Sequence, residues 1–384
     1  MFGRRIRLFT IQGFEVGIDW SWFVIALLVV WSLGRGLFPQ FFPGMEPGTY
    51  WTMAIVGAAG LFGSIVLHEL GHAVEARRNG VEMRGITLFV FGGVAEMTRE
   101  PTSAAAEFRI AVAGPIVSVG LALVAYGGYW VSGRWEGPTA VTAVLWYLWL
   151  INGLLVMFNL IPAFPLDGGR ILRSILWHYG KSLRWATKIA SGIGGVFGLV
   201  LIGLGVLSLF TGNFIGGLWW FVLGMFLRGA AQMSYQQVLV RRALEGEPVW
   251  KFMQSEPHSV ERHISVGDLV EDHIYRFHHK MFPVTDQGRL VGCVSTQDVK
   301  QLPREEWERH TVGEVSRRCG EENTIRPGSD AMEALSKMQR HNQSRLMVVE
   351  DGELRGVITL RDLMKLMALK VELEEESGRW SRAA

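Results

Sequence analysis

Between Trp51 and Val74 the chain runs through an apolar stretch whose only ionisable residues are His68, Glu69 and His72. A stretch of this kind is long enough to cross a bilayer as a helix, which takes about 20 apolar residues. Ionisable groups inside such a span are costly and mark function when they occur. On a helix His68 and His72 share one face, four positions apart, where two imidazoles can hold one Zn²⁺ while Glu69 activates a water beside them. The string His68-Glu69-Leu70-Gly71-His72 therefore predicts a zinc hydrolase site set into a membrane helix.

At 384 residues and 49% hydrophobic composition the chain is too long for one typical domain and apolar for a soluble protein. The apolar excess lies before about Gln232, where six stretches are candidate spans: roughly 20–37, 51–74, 110–131, 141–161, 189–210 and 214–231. The polar start with Asp19 and no small-residue cleavage site argues that the first is not a removed leader. Positive charge sets the orientation. Arg4, Arg5 and Arg7 precede the first span; Arg77, Arg78, Arg84, Arg99 and Arg109 follow the second; Arg170, Arg173, Lys181, Arg184 and Lys188 follow the fourth. The alternate loops carry only Arg35 and Arg134, so the N-terminus and everything after the sixth span are expected in the cytoplasm of a multi-pass protein of the cell membrane. Arg241-Arg242 and Glu245-Gly246-Glu247-Pro248 mark a boundary to a charged, soluble part. A net charge of +2 with no basic aromatic face excludes nucleic acid as an expected partner. Cys293 and Cys319, both in the soluble part, form no spaced framework and suit a reducing compartment.

Two histidines leave a catalytic zinc one protein ligand short. Asp167 is the candidate third, at the end of Asn159-Leu160-Ile161-Pro162-Ala163-Phe164-Pro165-Leu166-Asp167-Gly168-Gly169, beyond the fourth span and on the same side as His68. Its prolines and glycines forbid a regular helix, and irregular backbone at this depth is tolerated where it lines a cavity. With the histidine motif, this Pro-Leu-Asp-Gly-Gly core resembles the site-2 proteases, intramembrane zinc metalloproteases. Phe91-Gly92-Gly93-Val94 resembles that family's re-entrant loop and Ala113-Gly114-Pro115 the opening of its next helix. The resemblance implies His68, His72 and Asp167 as metal ligands, Glu69 as general base, Asn159 as an aid to catalysis, and Gly92 and Gly93 as a substrate-binding loop.

Beyond Val249 the sequence repeats: Gly288 to Val299 recurs 64 positions later as Gly352 to Leu363. Each copy reads as strand, turn, strand and a helix capped by Ser295 or Thr359. This half resembles a tandem pair of cystathionine-β-synthase (CBS) domains. That resemblance implies adenine nucleotide binding (ATP, ADP or AMP) through Ser295, Asp298, Thr359 and Asp362, though Ser-x-x-Asp and Thr-x-x-Asp are equally plain capping boxes. His258, His263, His273, His278 and His279 place no clear trio on one face and are expected to be solvated.

The expected architecture is thus a polytopic α-helical membrane domain of about six transmembrane helices followed by an α/β tandem CBS-domain pair. The expected limits are 1–235 for the membrane domain, 236–248 for a linker, 249–307 and 308–371 for the two CBS domains, and 372–384 for a tail. The expected function is cleavage of transmembrane segments of other membrane proteins within the lipid bilayer, regulated by nucleotide at the CBS pair, with a homodimer as one open arrangement. The alternative is a nucleotide-sensing membrane metal transporter or channel, which would need charged pore residues in more spans than the second.

Overall fold

The computed structural model describes residues 6–81, 83–90, 92–97, 100–135, 137–180, 182–365 and 367–370. Phe91, Lys181 and the expected tail, 372–384, lie outside the described residues. The chain divides into two compact units, Met1–Gln236 and Gln237–Ala384.

In the first unit six helices are long and apolar enough to cross a membrane: α1 (Ser21–Phe41), α2 (Pro47–Arg78), α3 (Ala104–Arg134), α4 (Thr139–Asn159), α6 (Leu183–Phe210) and α7 (Phe214–Leu244). The shorter, amphipathic α5 (Asp167–Tyr179) lies between α4 and α6. Local chemistry sets the ends. Proline occupies the first turn of α2, where its missing N–H is not needed, and Arg77 and Arg78 sit at the negative end of its dipole. The Ser103 hydroxyl caps α3 by accepting from the Ala106 N–H. Leu27, Leu123, Val124, Val196, Leu207 and Ile215 point outward from these helices. Acyl chains solvate such a surface and water does not.

A four-stranded sheet accompanies the helices: β1 (Ile6–Ile11), β2 (Phe14–Ile18), β3 (Met83–Phe89) and β4 (Gly92–Met97), in that order. Gln12 and Gly13, both at positive φ, make the tight β1–β2 turn. β2 and β3 run parallel, whereas β3 and β4 form a hairpin that leaves β4 at the edge among the described strands. Phe14, Val16 and Ile86 pack against Leu70 and Ala73, so the sheet backs α2 at the height of the histidine motif. β1 and β2 are not among the elements expected from the sequence.

The second unit holds a six-stranded sheet ordered β5 (Val260–Glu261), β6 (Met281–Asp286), β7 (Arg289–Ser295), β10 (Glu353–Thr359), β9 (Arg345–Glu350) and β8 (Thr324–Ile325). The order is palindromic, as two copies of one unit related by a twofold require. β5 and β8 pair in parallel with β6 and β9, and β7 meets β10 at Arg289 and Glu353. α8 (Thr296–Val299) follows β7, and α9 (Ala331–Arg340) precedes β9. Two apolar cores result, one around Leu269, Phe282 and Val294, the other around Leu335, Leu346 and Ile358. Leu244, Val249 and Phe252 enter the second core, and Val312 enters the first. Each copy's core is therefore completed by the segment that precedes the other copy, and the stretch expected as a linker is helical through Leu244.

Candidate active site

His68 and His72 lie on the buried face of α2 and each imidazole is oriented from α3. His72 Nδ1 donates to the Ile110 carbonyl at 2.6 Å, which fixes that nitrogen as protonated and leaves Nε2 to carry a proton toward Asp167 or a lone pair toward a metal. His68 Nδ1 meets Ser118 Oγ at 2.9 Å. Gly114 lies between these two anchors, and a Cβ there would fall 2.2 Å from His72 Nε2 and 2.7 Å from His68 Nε2. Only a glycine lets α3 approach both rings.

Asp167 reaches the pair from the start of α5. The backbone of 160–164 folds tightly over that helix end: a Cβ on Gly168 would lie 2.3 Å from the Leu160 carbonyl oxygen, and one on Gly169 2.3 Å from the Phe164 nitrogen. The Gly-Gly pair is therefore a packing requirement of the loop that delivers the carboxylate. Asp167 Oδ2 lies 3.0 Å from His68 Nε2 and 3.2 Å from His72 Nε2, and the two Nε2 atoms are 3.2 Å apart. Burial alone would raise the Asp167 carboxyl, but His72 and the hydrogen bonds of both imidazoles hold it well below the usual carboxylate range.

Three acceptor atoms share so small a volume only around a cation, either protons on the imidazoles or a metal ion. A tetrahedral zinc with bonds of about 2.0–2.1 Å separates its ligand atoms by about 3.3–3.4 Å. The observed spacings match within a few tenths of an ångström, and two nitrogens with one carboxylate oxygen suit zinc. His68, His72 and Asp167 are the metal-competent trio among the described residues.

Glu69, next along α2 between the two histidines, is half-buried. β4 lies on it: a Cβ on Gly93 would fall 2.7 Å from Glu69 Cγ. Gly92 opens β4 with φ 130°, a conformation that favours glycine. Asn159 is the last residue of α4, half-buried, and its side chain makes no hydrogen bond with a described residue. Two turns earlier, Asn152 is fully buried and donates to Ser64 Oγ at 3.0 Å and to the Leu148 carbonyl at 2.8 Å. Ser64 stands one turn before His68 on the same face. The sequence reading missed Asn152, Ser64, Gly114 as an imidazole contact, and Ser118; a polar residue inside an apolar span was the signal for three of them.

In the second unit Ser295 N and Oγ donate to Asp298 Oδ2 at 2.9 and 2.5 Å, and Thr359 N and Oγ1 donate to Asp362 Oδ2 at 3.1 and 2.6 Å. Both pairs are helix caps as they stand. The copies differ in one respect: Asp298 Oδ1 also accepts from Arg317 Nε at 2.6 Å. Gly292 and Gly356 sit under crossing backbone, with the Arg317 and Gln254 carbonyl oxygens 2.8 and 2.6 Å from where a Cβ would be.

Both halves of the chain are similar to known proteins. The model of Peptidase family M50 matches residues 56–134 and 136–201, and the CBS domain model matches residues 249–305 and 312–369. Rip3 of Mycobacterium tuberculosis is 34% identical over 366 residues, spanning 94% of this chain and 92% of that protein. Zinc metalloprotease MJ0392 of Methanocaldococcus jannaschii is 32% identical over 378 residues, 97% of this chain and 98% of its own length. Among solved structures, the site-2 protease from Methanocaldococcus jannaschii aligns with 60% of this chain and 94% of its own, at 30% identity and a TM-score of 0.40.

Proposed function

The chain belongs to Peptidase family M50, the site-2 protease type of zinc metalloprotease, and carries a tandem CBS region; from that premise we propose that it cleaves transmembrane segments of other membrane proteins. In this reading His68, His72 and Asp167 hold Zn²⁺ and Glu69 is the general base. The observation that carries it is the convergence of three ligand atoms to within 3.2 Å of one another, one residue from Glu69. Zinc bound there supplies a Lewis acid and a water acidic enough to attack near neutral pH.

The chain's own residues do the rest. Glu69 takes the proton of the attacking water and returns it to the leaving amine. A substrate helix hides its carbonyls in i→i−4 bonds, so it must unwind before attack. The free edge of β4, at Gly92 and Gly93, takes the extended segment as an added strand and lays it beside Glu69. Asn159, at the end of α4, assists binding of the substrate or the transition state. The arginine-bearing loops orient the N-terminus and the CBS region to the cytoplasm. The expected domain limits belong to the same reading. ATP, ADP or AMP bound at Ser295, Asp298, Thr359 and Asp362 regulates cleavage; in the first copy the ligand displaces Arg317 from Asp298.

The test is cleavage of a single-pass model substrate by purified protein, beside Glu69→Gln, with zinc measured in both. Cleavage by the parent only, with about one zinc per chain in each, is expected. A variant that cleaves at the parental rate would remove Glu69 from the mechanism, and a parent free of zinc that still cleaves would overturn the ligand assignment.

A further inference from the structure

Resting on the reading of His68, His72 and Asp167 as zinc ligands, we propose that Arg173 is a positioning residue for the metal. By binding Glu107 it holds α5, which carries Asp167, in register with α3, which orients both imidazoles.

Glu107, Ile110, Ala111, Gly114 and Ser118 are all buried on α3 and, at spacings i, i+3, i+4, i+7 and i+11, form one stripe. Followed from its far end, the stripe touches each part of the site in turn. Ser118 meets His68, Gly114 lies under both rings, and the Ile110 carbonyl takes His72. Glu107, one turn further, takes Arg173: Arg173 Nε donates to Glu107 Oε1 at 2.6 Å and Nη2 meets the same oxygen. Nη2 also reaches Glu100 Oε2 at 3.1 Å, in the segment that leaves β4. The guanidinium stands 5.0 Å from the centroid of the Phe164 ring, three residues before Asp167.

Glu107 and Arg173 side chains are 0% and 3% exposed, so water replaces neither partner when the other is lost. α5 packs along α3 and α6, and among these contacts the Arg173–Glu107 pair is the buried ion pair that joins it to the stripe orienting the imidazoles. Two ligands thus take their orientation from α3 directly, and the third sits on a helix that this ion pair, together with its packing on α3 and α6, holds against the same stripe. A pair of charges that served stability alone would not need to lie on the stripe that orients the imidazoles.

The experiment uses the full-length protein in detergent, equilibrated at graded, buffered free Zn²⁺, with bound zinc measured by elemental analysis. Arg173→Lys keeps the charge and loses the planar fork. Its zinc dissociation constant is expected to rise about tenfold, and that of Arg173→Met or Glu107→Gln by about 10–100-fold, the range typical of lost supporting contacts at metal sites. Helix content is to remain parental at the temperature used, and saturating Zn²⁺ is to restore cleavage by Arg173→Lys toward the parental rate. If the pair were purely stabilising, its loss would lower the unfolding temperature without changing zinc affinity in the folded protein. Arg173→Lys and Glu107→Gln that bind zinc within twofold of the parent overturn the proposal, and Arg173→Lys decides it should Arg173→Met not fold. A parent that binds zinc no better than His72→Ala overturns the ligand reading together with the positioning role. A zinc-binding parent with unaffected variants overturns the positioning role alone.

Discussion

Gly114→Ala adds one methyl group to a helix and, on this geometry, destroys the metal site. The added Cβ would lie 2.2 Å from His72 Nε2, 2.6 Å from His72 Cε1 and 2.7 Å from His68 Nε2. Ordinary non-bonded contacts begin near 3.5 Å, so the His72 ring must retreat by about 1 Å or α3 must. Neither move leaves the site intact. His72 is held to Ile110 and His68 to Ser118 of the same helix, so withdrawing α3 drags both anchors away. Metal–ligand distances tolerate only about 0.2 Å, and a misplacement of about 1 Å costs on the order of 10²-fold in rate. Glycine to alanine inside a helix otherwise favours the helix by about 1 kcal/mol, so helix propensity works against the expected loss. Gly120, on the same helix, has nothing within 4 Å of an added methyl and gives the control. Zinc content and cleavage of the model substrate are to be measured for both variants. Gly120→Ala is expected to match the parent, and Gly114→Ala to lose zinc and at least about 10²-fold of its activity. One zinc per chain and parental cleavage in Gly114→Ala would refute the packing of α3 on the imidazoles.

Gly93→Ala separates the base from the metal: its Cβ would press on Glu69 Cγ at 2.7 Å and Ile65 Cγ2 at 3.1 Å, and its three nearest atoms belong to no proposed ligand. Turnover is expected to fall about tenfold with zinc content unchanged, and a loss of zinc in this variant would show that β4 supports the ligands. In the second unit, Glu247 accepts hydrogen bonds from Lys251 and Lys370, which hold its carboxyl down at about 2 from an ordinary 4.5. A depressed carboxylate stabilises the fold above its unfolded pKa, and that contribution fades as pH falls through the folded value. The unfolding-temperature gap between parent and Glu247→Gln is therefore expected to be constant above about pH 5 and to shrink toward pH 2; a gap that widens on acidification would contradict the contacts.

The two histidine positions of the candidate metal site were legible because local periodicity alone puts residues four apart on one helix face, and because an apolar span makes each ionisable residue conspicuous. Asp167 was legible through its neighbours, since Pro162, Pro165 and the Gly-Gly pair interrupt a helix where an irregular, cavity-lining turn was needed. The six spans were legible for the same reason, and the helices extend the expected limits mainly where charged ends such as Arg77 and Arg78 leave the apolar run. β1 and β2 were not. β1 and β2 pair with each other across the Gln12-Gly13 turn, but the parallel pairing of β2 with β3, some seventy residues on, has no local pattern to announce it. Ser118 reads as an ordinary helix serine, and Arg173 as one of several cations that set orientation; their roles exist only once α3 lies across α2 and α5. The repeat of the second unit was plain, but a period identifies copies and not which core a connecting segment enters, so the burial of Leu244 and Val249 in the second copy was hidden.

In a hydrolytic site set among membrane-spanning helices a buried polar atom needs a protein partner, because lipid offers none. For the two imidazoles and Asp167 that demand and the catalytic geometry are met by the same contacts, whereas Glu107 Oε2 and Asn152 Oδ1 are buried without a hydrogen-bond partner among the described residues. His72 Nδ1 has the Ile110 carbonyl, His68 Nδ1 has Ser118, and the inward-facing Nε2 and Oδ2 atoms have one another or a bound cation. α3 contributes no ligand, yet it supplies each imidazole's outer partner and the Glu107 that anchors α5. It follows that the site is indexed to the stripe Glu107–Ser118 more than to the helices that carry the ligands. Substitutions on that stripe are the ones that should change metal affinity without touching a ligand, whereas those on the lipid-facing side of the same helix, at Leu123 or Val124, should leave it alone.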